Sequence, residues 1–213
     1  MRIEEQKKTQ LSTRTYNLVI GGTLLWGFIV NALMCTFLSE FFLAMNPVAV
    51  IIGYFVMAVI GIIINKSSNN AITTFIGYNF IVLPVGMLLS IALVAYEPGL
   101  ILNVCIITAI VTAVMMFLSM LKPEVFLSMG KMLFISLLTV IIIEVLSMLF
   151  GIYMPTIWDS IVALIFCGYI GFDWAVAQNQ DKTVNNAVKI CADLYLDIIN
   201  LFIRILEIMG KKD

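Results

Sequence analysis

Four carboxylates within hydrophobic segments are the residues of this chain that are best suited to chemistry. Asp173, Asp193, Asp197 and Glu144 each interrupt an apolar run. A charge at the middle of a membrane costs about 2.5–3.5 kcal/mol on insertion scales, so acids in such segments are usually functional. Asp193 and Asp197 are one helical turn apart, which places them on the same helix face. A short connector joins their segment to that of Asp173, so we expect the three aspartates to lie near one another.

Two carboxylates in contact away from water have a distinctive chemistry. They cannot both ionise cheaply, so one holds a proton near neutral pH and the pair titrates as a unit. Carboxylate oxygens are also the ligands that Ca²⁺ prefers. Such a pair therefore predicts a proton sensor that also binds a passing cation. A second interpretation stays open, in which these acids only hydrogen-bond neighbouring helices or pair with Lys189 and Arg204.

The segment 186–210 carries a polar stripe along one side of a predicted helix. Its polar residues recur at steps of three or four, which is the repeat of one helix face. They are Asn186, Lys189, Asp193, Asp197, Asn200, Arg204 and Glu207. We expect the stripe to face other helices rather than lipid, which makes Asn200 a further candidate for an ion path. A helix lying on the membrane surface has the same pattern, but this stripe carries more acid than base and suits anionic headgroups poorly.

The composition is that of a protein that crosses a membrane several times. Hydrophobic residues make up 62% of the chain and charged residues 12%, about half the charged fraction of a soluble domain. The net charge of −1 and the absence of His give no indication of a nucleic-acid partner. The expected partners are membrane lipids, calcium ions and protons, and no cofactor is expected.

Seven apolar segments match the roughly 20 residues that a helix needs to cross a bilayer. They cover residues 17–39, 47–65, 72–96, 100–121, 126–150, 156–177 and 186–210. The loops are short, so we predict an all-α membrane protein with a single domain over residues 1–213, in which residues 1–16 form a solvated arm. Asn46 and Pro47 predict the N-cap and first residue of the second span, and Pro84 predicts a kink in the third.

Lysine and arginine are unevenly distributed over the loops. If the N-terminus lies inside, nine of the 12 cationic side chains lie on the inner side and three on the outer side. Because cytoplasmic loops carry the excess of Lys and Arg, this distribution predicts a cytoplasmic N-terminus. The C-terminus is then on the outside if the last helix spans.

Two motifs resemble those of the Bax inhibitor family of membrane proteins. The first is Gly168-Tyr169-Ile170-Gly171-Phe172-Asp173, and the second is Leu194-Tyr195-Leu196-Asp197-Ile198-Ile199-Asn200-Leu201-Phe202. The number of spans and the short loops are similar to those of the bacterial members, which implies the bacterial plasma membrane. The resemblance also implies six helices wrapped around a central seventh, and a pH-sensitive calcium leak. Asp173 and Asp197 would then be the gate and transient calcium ligands, with Asp193 and Glu144 secondary.

This chain departs from that family at the inner end of the second span. Members often carry an arginine there that latches onto the aspartate pair, whereas this chain has Ile64-Asn65-Lys66. Lys66 is therefore the candidate latch. An ammonium cannot fork across two carboxylates as a guanidinium does, so we expect Lys66 to hold the pair less firmly.

Three other hypotheses stay open. A proton-coupled cation exchanger would use the same carboxylates. An intramembrane aspartyl protease also needs two aspartates on neighbouring helices, but such enzymes usually carry Tyr-Asp and Gly-x-Gly-Asp. This chain has Phe172-Asp173 and Leu196-Asp197 instead, so we expect no enzymatic activity. The third hypothesis is a structural partner of other membrane proteins.

Overall fold

The computed structural model describes residues 10–210, and the regular structure in that range is entirely helical. The α-helices are α1 (Thr13–Phe37), α2 (Ser39–Leu43), α3 (Pro47–Ser67), α4 (Ala71–Ala92), α5 (Pro98–Leu121), α6 (Pro123–Ser128), α7 (Gly130–Phe150), α8 (Thr156–Asn179) and α9 (Val184–Gly210). A 3₁₀ turn (Leu93–Ala95) follows α4. Helix α1 begins at Thr13 rather than at residue 17, so the predicted arm is shorter, and residues 1–9 of that arm lie outside the described residues.

Asparagine side chains cap the N-termini of two of the long helices, α3 and α4. The Oδ1 atom of Asn46 accepts a hydrogen bond from the backbone N–H of Val48 at 2.9 Å, and Pro47 occupies the first helical position. The Oδ1 atom of Asn70 accepts from the N–H of Ile72 at 2.9 Å. These bonds satisfy N–H groups that have no partner within the helix. The predicted cap and start of the second span are confirmed.

Six helical segments within residues 10–210 are long and apolar enough to cross a membrane. They are α1, α3, Ala71–Ala95, α5, α7 and α8. Large apolar side chains are exposed along them, such as Phe134, Leu164 and Met148, which suits a surface in contact with lipid rather than water. Helix α9 has 27 residues, but its polar stripe sets it apart from these six. Its predicted role as a seventh, central span stays a prediction.

The predicted fifth span, 126–150, is two helices rather than one. The chain breaks between α6 and α7 at Met129, and Gly130 begins the longer helix. A Cβ atom at Gly130 would lie 2.7 Å from the Phe172 ring, so the glycine is needed for that ring to pack closely. Helix α4 continues through Pro84, and the kink predicted there stays a prediction.

The contacts divide the chain into two compact units. Unit 1 comprises residues 1–96 and 177–195, and unit 2 comprises residues 97–176 and 196–213. Helices α8 and α9 each contribute residues to both units. Asp193 therefore belongs to unit 1, whereas Asp173 and Asp197 both belong to unit 2.

Unit 1 contains a close backbone contact between α3 and α4. A Cβ atom at Gly77 would lie 2.5 Å from the backbone nitrogen of Asn65 and 2.9 Å from the carbonyl oxygen of Gly61. Real Cβ atoms are not found at such distances, so glycine allows these two helices to approach. The fully buried Asn65 lies at this contact and donates from Nδ2 to the carbonyl of Thr74 at 3.2 Å.

Unit 2 packs around the glycines of the motif Gly168–Asp173. A Cβ atom at Gly168 would lie 2.7 Å from a methyl carbon of Leu133, and the Phe126 ring fills the space beside Gly171. The Ser119 hydroxyl donates to the carbonyl of Gly171 at 2.6 Å. Helices α5, α6 and α7 thus all contact the glycine face of α8. This packing fixes the segment that carries Asp173.

Candidate functional site

The polar stripe of α9 is more accessible than the rest of that helix. Its residues are partly exposed except for Asp197, which is buried. The apolar flanks are mostly buried, and Ile199 is only 7% exposed, whereas the neighbouring Asn200 is partly exposed. We had expected the stripe to be the shielded face, and only Asp197 meets that expectation. The apolar sides of α9 are therefore mostly buried, and its polar stripe is partly accessible.

Asp173 and Asp197 are the two buried aspartates of the predicted gate. Each has an exposed fraction of 8%, and both belong to unit 2. The Tyr169 phenol, one turn before Asp173, lies within range of the charges of both carboxylates. The structure therefore brings the two acids into the surroundings of one tyrosine, although 24 positions separate them in the sequence.

Asp193 has a different partner from the other two aspartates. Lys66 Nζ donates to both of its carboxylate oxygens, at 2.7 Å to Oδ1 and 2.5 Å to Oδ2. Lys189 Nζ donates to the backbone carbonyl of Lys66 at 3.0 Å, at the end of α3. Asp193 is thus ion-paired with Lys66, whereas the sequence had suggested Lys189 and Arg204 as possible partners of the acids. Whether its role is only structural stays a prediction. The predicted latch on Asp173 and Asp197 stays a prediction.

Arg204 is the centre of a second cluster of charges, in unit 2. Its Nη2 atom donates to Glu144 at 2.5 Å, and its Nη1 atom donates to Asp159 at 3.2 Å and to Glu207 at 3.1 Å. The Trp158 indole N–H donates to the same Glu144 oxygen at 3.2 Å. We define Arg204 and these three acids, Glu144, Asp159 and Glu207, as the Arg204 cluster. Glu144, for which the sequence named no partner, is thus bound to α9.

The Arg204 cluster is only partly accessible. The exposed fraction is 18% for the Arg204 side chain and 6% for the Asp159 side chain, against 33% for Glu144 and 36% for Glu207. Three carboxylates surround one guanidinium, so the cluster carries a formal charge of −2 when all four groups are ionised. Sequence reasoning missed Asp159 and this pairing, because the partners lie on three helices and no local spacing connects them.

Tyr195 anchors α9 in unit 1, immediately before the chain passes to unit 2. Its hydroxyl accepts a hydrogen bond from Asn31 Nδ2 at 2.5 Å. Its ring packs edge-on against Tyr78, with 5.6 Å between the ring centroids. Both tyrosines are fully buried, and Tyr78 donates from its hydroxyl to the carbonyl of Thr23 at 3.0 Å. Sequence reasoning did not single out Tyr195 as a functional residue. Its position in the second motif, Leu194–Phe202, was the one signal that could have pointed to it.

The candidate oxygen ligands for a cation are the carboxylates of Asp173 and Asp197, as the sequence predicted. Within residues 10–210, no group of three or more His, Cys, Asp or Glu side chains has an arrangement suited to a metal ion. Asp173 and Asp197 offer two carboxylates, which suits brief contact with a passing cation rather than a closed coordination shell. Asn200 donates from Nδ2 to the Leu196 carbonyl at 2.8 Å, and its role in an ion path stays a prediction.

The fold and the site define a helical membrane protein that crosses the bilayer several times and buries acids within its helices. A family model described as inhibitor of apoptosis-promoting Bax1 matches residues 8–213. The chain therefore belongs to the Bax inhibitor-1 family. The resemblance drawn from the two motifs is confirmed.

Named relatives come from plants and bacteria. The chain is 34% identical over 96 residues to a BI1-like protein of Arabidopsis thaliana, which covers 43% of this chain and 36% of that protein. It is 31% identical over 115 residues to Protein LIFEGUARD 1 of Arabidopsis thaliana, 48% of this chain and 47% of that one. An uncharacterized membrane protein of Streptococcus pyogenes is 28% identical over 135 residues, 60% of this chain and 59% of its own length. The matches thus span about a third to three fifths of these relatives.

Proposed function

We propose that this protein is a calcium leak of the membrane, gated by a proton that Asp173 and Asp197 share. The observation that carries the proposal is the burial of both carboxylates, each 8% exposed, in unit 2. Two buried acids that share a proton change their net charge by one when it leaves. In surroundings of low dielectric constant, such a change shifts the energy of a helix arrangement strongly.

The polar stripe of α9 supplies the proposed path for the cation. Its partly exposed oxygens and carboxylates follow one helix face, while the flanking apolar side chains are packed away. A helix of 27 residues is about 40 Å long at 1.5 Å per residue, which is enough to cross a bilayer. The buried residues that recur along α9 from Ala187 to Leu206 support the proposal that it is a seventh, central span.

We also propose that the N-terminus lies in the cytoplasm of a bacterial cell, and hydrogen bonds in unit 1 support a common side for the start of α1 and the connector between α8 and α9. Gln180 Nε2 donates to the Tyr16 hydroxyl at 2.8 Å, and the N–H of Leu11 donates to the carbonyl of Lys182 at 2.7 Å. The start of α1 and the connector between α8 and α9 are therefore neighbours. Both carry cationic residues that the charge count assigns to the inner side.

Calcium flux into liposomes that contain the purified protein tests the proposal. We expect flux down the calcium gradient alone, with a dependence on pH that Asp173→Asn and Asp197→Asn each flatten. Asp181→Asn is the matched control, because Asp181 is exposed in the connector after α8. Absence of flux at every pH would refute the leak. Flux that requires an opposing proton gradient would instead establish the exchanger.

A further inference from the structure

A ring of hydrogen bonds in unit 1 joins the start of α9 to the end of α3 and the start of α4. Asn65 Nδ2 on α3 donates to the carbonyl of Thr74 at 3.2 Å, and the Thr74 hydroxyl donates to Asn185 Oδ1 at 2.6 Å. Asn185 Nδ2 in turn donates to the carbonyl of Ser68, the C-cap of α3, at 3.3 Å. We define these four residues as the Asn185 ring. One side chain of α9 thus uses both of its polar groups on two other helices.

The two helices that hold Asn185 are packed closely against each other. Asn65 and Thr74 are both fully buried, and Gly61 and Gly77 bring the backbones of α3 and α4 together beside Asn65. Close-packed interiors leave little room for such helices to shift. Asn185 is therefore bound to a rigid support, and its two hydrogen bonds restrict both the rotation and the axial position of α9.

Lys189, one turn after Asn185, makes a second contact with the same end of α3. Its Nζ atom donates to the carbonyl of Lys66 at 3.0 Å. The last carbonyls of a helix have no partner within that helix and attract positive charge, so a side chain of α9 caps α3. Contacts four residues apart lie on one face of a helix. The structure therefore fixes which face of α9 is directed at α3.

We propose that Asn185 is a positioning residue that sets the rotation of α9 and, with it, the direction of Asp197 within unit 2. The inference rests on the proposed function insofar as Asp197 belongs to the gate. Helix α9 is continuous from Val184 to Gly210, so its start and Asp197, about 18 Å further along the axis, turn together. A rotation of α9 changes the separation of Asp173 and Asp197, and that separation decides how strongly their charges interact.

A purely structural role of the Asn185 ring leads to a different expectation. A hydrogen bond that only stabilises unit 1 would lower the unfolding midpoint when it is removed, and α9 would keep its place in unit 2. Asn79 provides the matched control. It also joins two helices of unit 1 through its side chain, because its Oδ1 atom accepts from the Trp26 indole N–H at 3.0 Å, and neither partner belongs to α9. Asn79→Ala should therefore affect stability alone.

Distances between two spin labels test the positioning without any measurement of flux. One label replaces Met209 on α9 and the other replaces Phe134 on α7, which are 41% and 63% exposed and both belong to unit 2. The labels are introduced as noncanonical amino acids, so that the four native cysteines stay unlabelled. Double electron–electron resonance should give a shifted or broader distance distribution for Asn185→Ala, because the start of α9 is released, and an unchanged one for Asn79→Ala. Thr74→Val removes only the donor to Asn185 Oδ1, so it should shift the distribution too, and it provides the test if Asn185→Ala does not fold.

Calcium flux into liposomes connects the position of α9 with the gate. We expect Asn185→Ala to shift the pH of half-maximal flux by about half a unit or more, and Asn79→Ala to leave it unchanged. Unaltered distance distributions in the folded Asn185→Ala and Thr74→Val proteins would overturn the positioning role, as would an equal pH shift in Asn79→Ala. A shifted distribution with an unaltered pH profile, in a protein that does conduct, would overturn the effect on the gate. If no variant conducts calcium at any pH, the proposed function fails, while the distances still decide whether Asn185 positions α9.

Discussion

Lys66 Nζ holds both carboxylate oxygens of Asp193, at 2.5 and 2.7 Å, across 127 positions of the sequence. The pair ties the end of α3 to α9 within unit 1. It is half-exposed, with 49% of the Lys66 side chain and 30% of the Asp193 side chain accessible. Ion pairs with such access to solvent contribute about 0–1 kcal/mol, and less at high salt. This pair therefore positions α9 more than it stabilises the fold.

We predict that Lys66→Ala alters stability and flux only modestly. A double-mutant cycle with Asp193→Asn, measured by thermal unfolding in detergent, should give a coupling below about 1 kcal/mol. The calcium flux at neutral pH should change far less than with Asp173→Asn. A Lys66→Ala protein that is fully open at neutral pH would show that Lys66 acts as the latch on the aspartate pair.

Asp173 and Asp197 should behave as one titrating unit. Because an asparagine cannot hold or release the shared proton, either single variant should flatten the pH profile of calcium flux. The double variant Asp173→Asn/Asp197→Asn should add little to the effect of either single variant, since residues that act as a unit are not additive. Wild-type profiles in both single variants would move the sensor to Asp193 or Glu144.

Gly77 should tolerate no side chain. In Gly77→Ala the new Cβ atom would lie 2.5 Å from the backbone nitrogen of Asn65, so α3 and α4 must move apart. Overpacking of this kind costs about 1–3 kcal/mol, occasionally more, and should lower the unfolding midpoint in detergent. Gly21→Ala is the matched control, because no atom lies within 4 Å of a Cβ atom there. Equal midpoints for the two variants would refute the close contact.

Tyr195→Phe should destabilise unit 1 by removing one oxygen. The substitution keeps the ring that packs on Tyr78 and removes the acceptor for Asn31 Nδ2, which stays buried. A buried donor that loses its partner costs about 1–3 kcal/mol. Thermal unfolding should show a lower midpoint than for Tyr96→Phe, at a partly exposed tyrosine. A midpoint equal to that control would mean that the Asn31 hydrogen bond contributes nothing measurable.

The sequence predicted the elements of this protein better than their contacts. Six spans followed from apolar runs of sufficient length, and the start of α3 followed from Asn46 and Pro47, because both signals are local. The contact of Gly130 with the Phe172 ring was missed, since the two residues are more than 40 positions apart. No local pattern encodes such a contact.

The same contrast between local signals and distant contacts applies to the charged residues. Sequence reasoning chose Asp173 and Asp197, because buried acids in apolar segments are rare and costly. It could not find Arg204 with Glu144, whose positions differ by 60, because that pairing depends on how three helices pack. The spacing of the α9 stripe was correct, but its degree of exposure depended on the neighbouring helices and could not be predicted from the stripe itself.

The sharing of α9 between the two units has a consequence for the order in which the protein can fold during synthesis. Unit 1 begins with the first residues but also requires residues 177–195, and unit 2 requires residues 196–213. At about 5–20 residues per second, α1 to α4 wait for several seconds before the ribosome supplies Asp193 and Tyr195. The Asn31 amide lacks its Tyr195 partner and the Lys66 ammonium its Asp193 partner for that time. The synthesis of α9 therefore supplies residues that both units require.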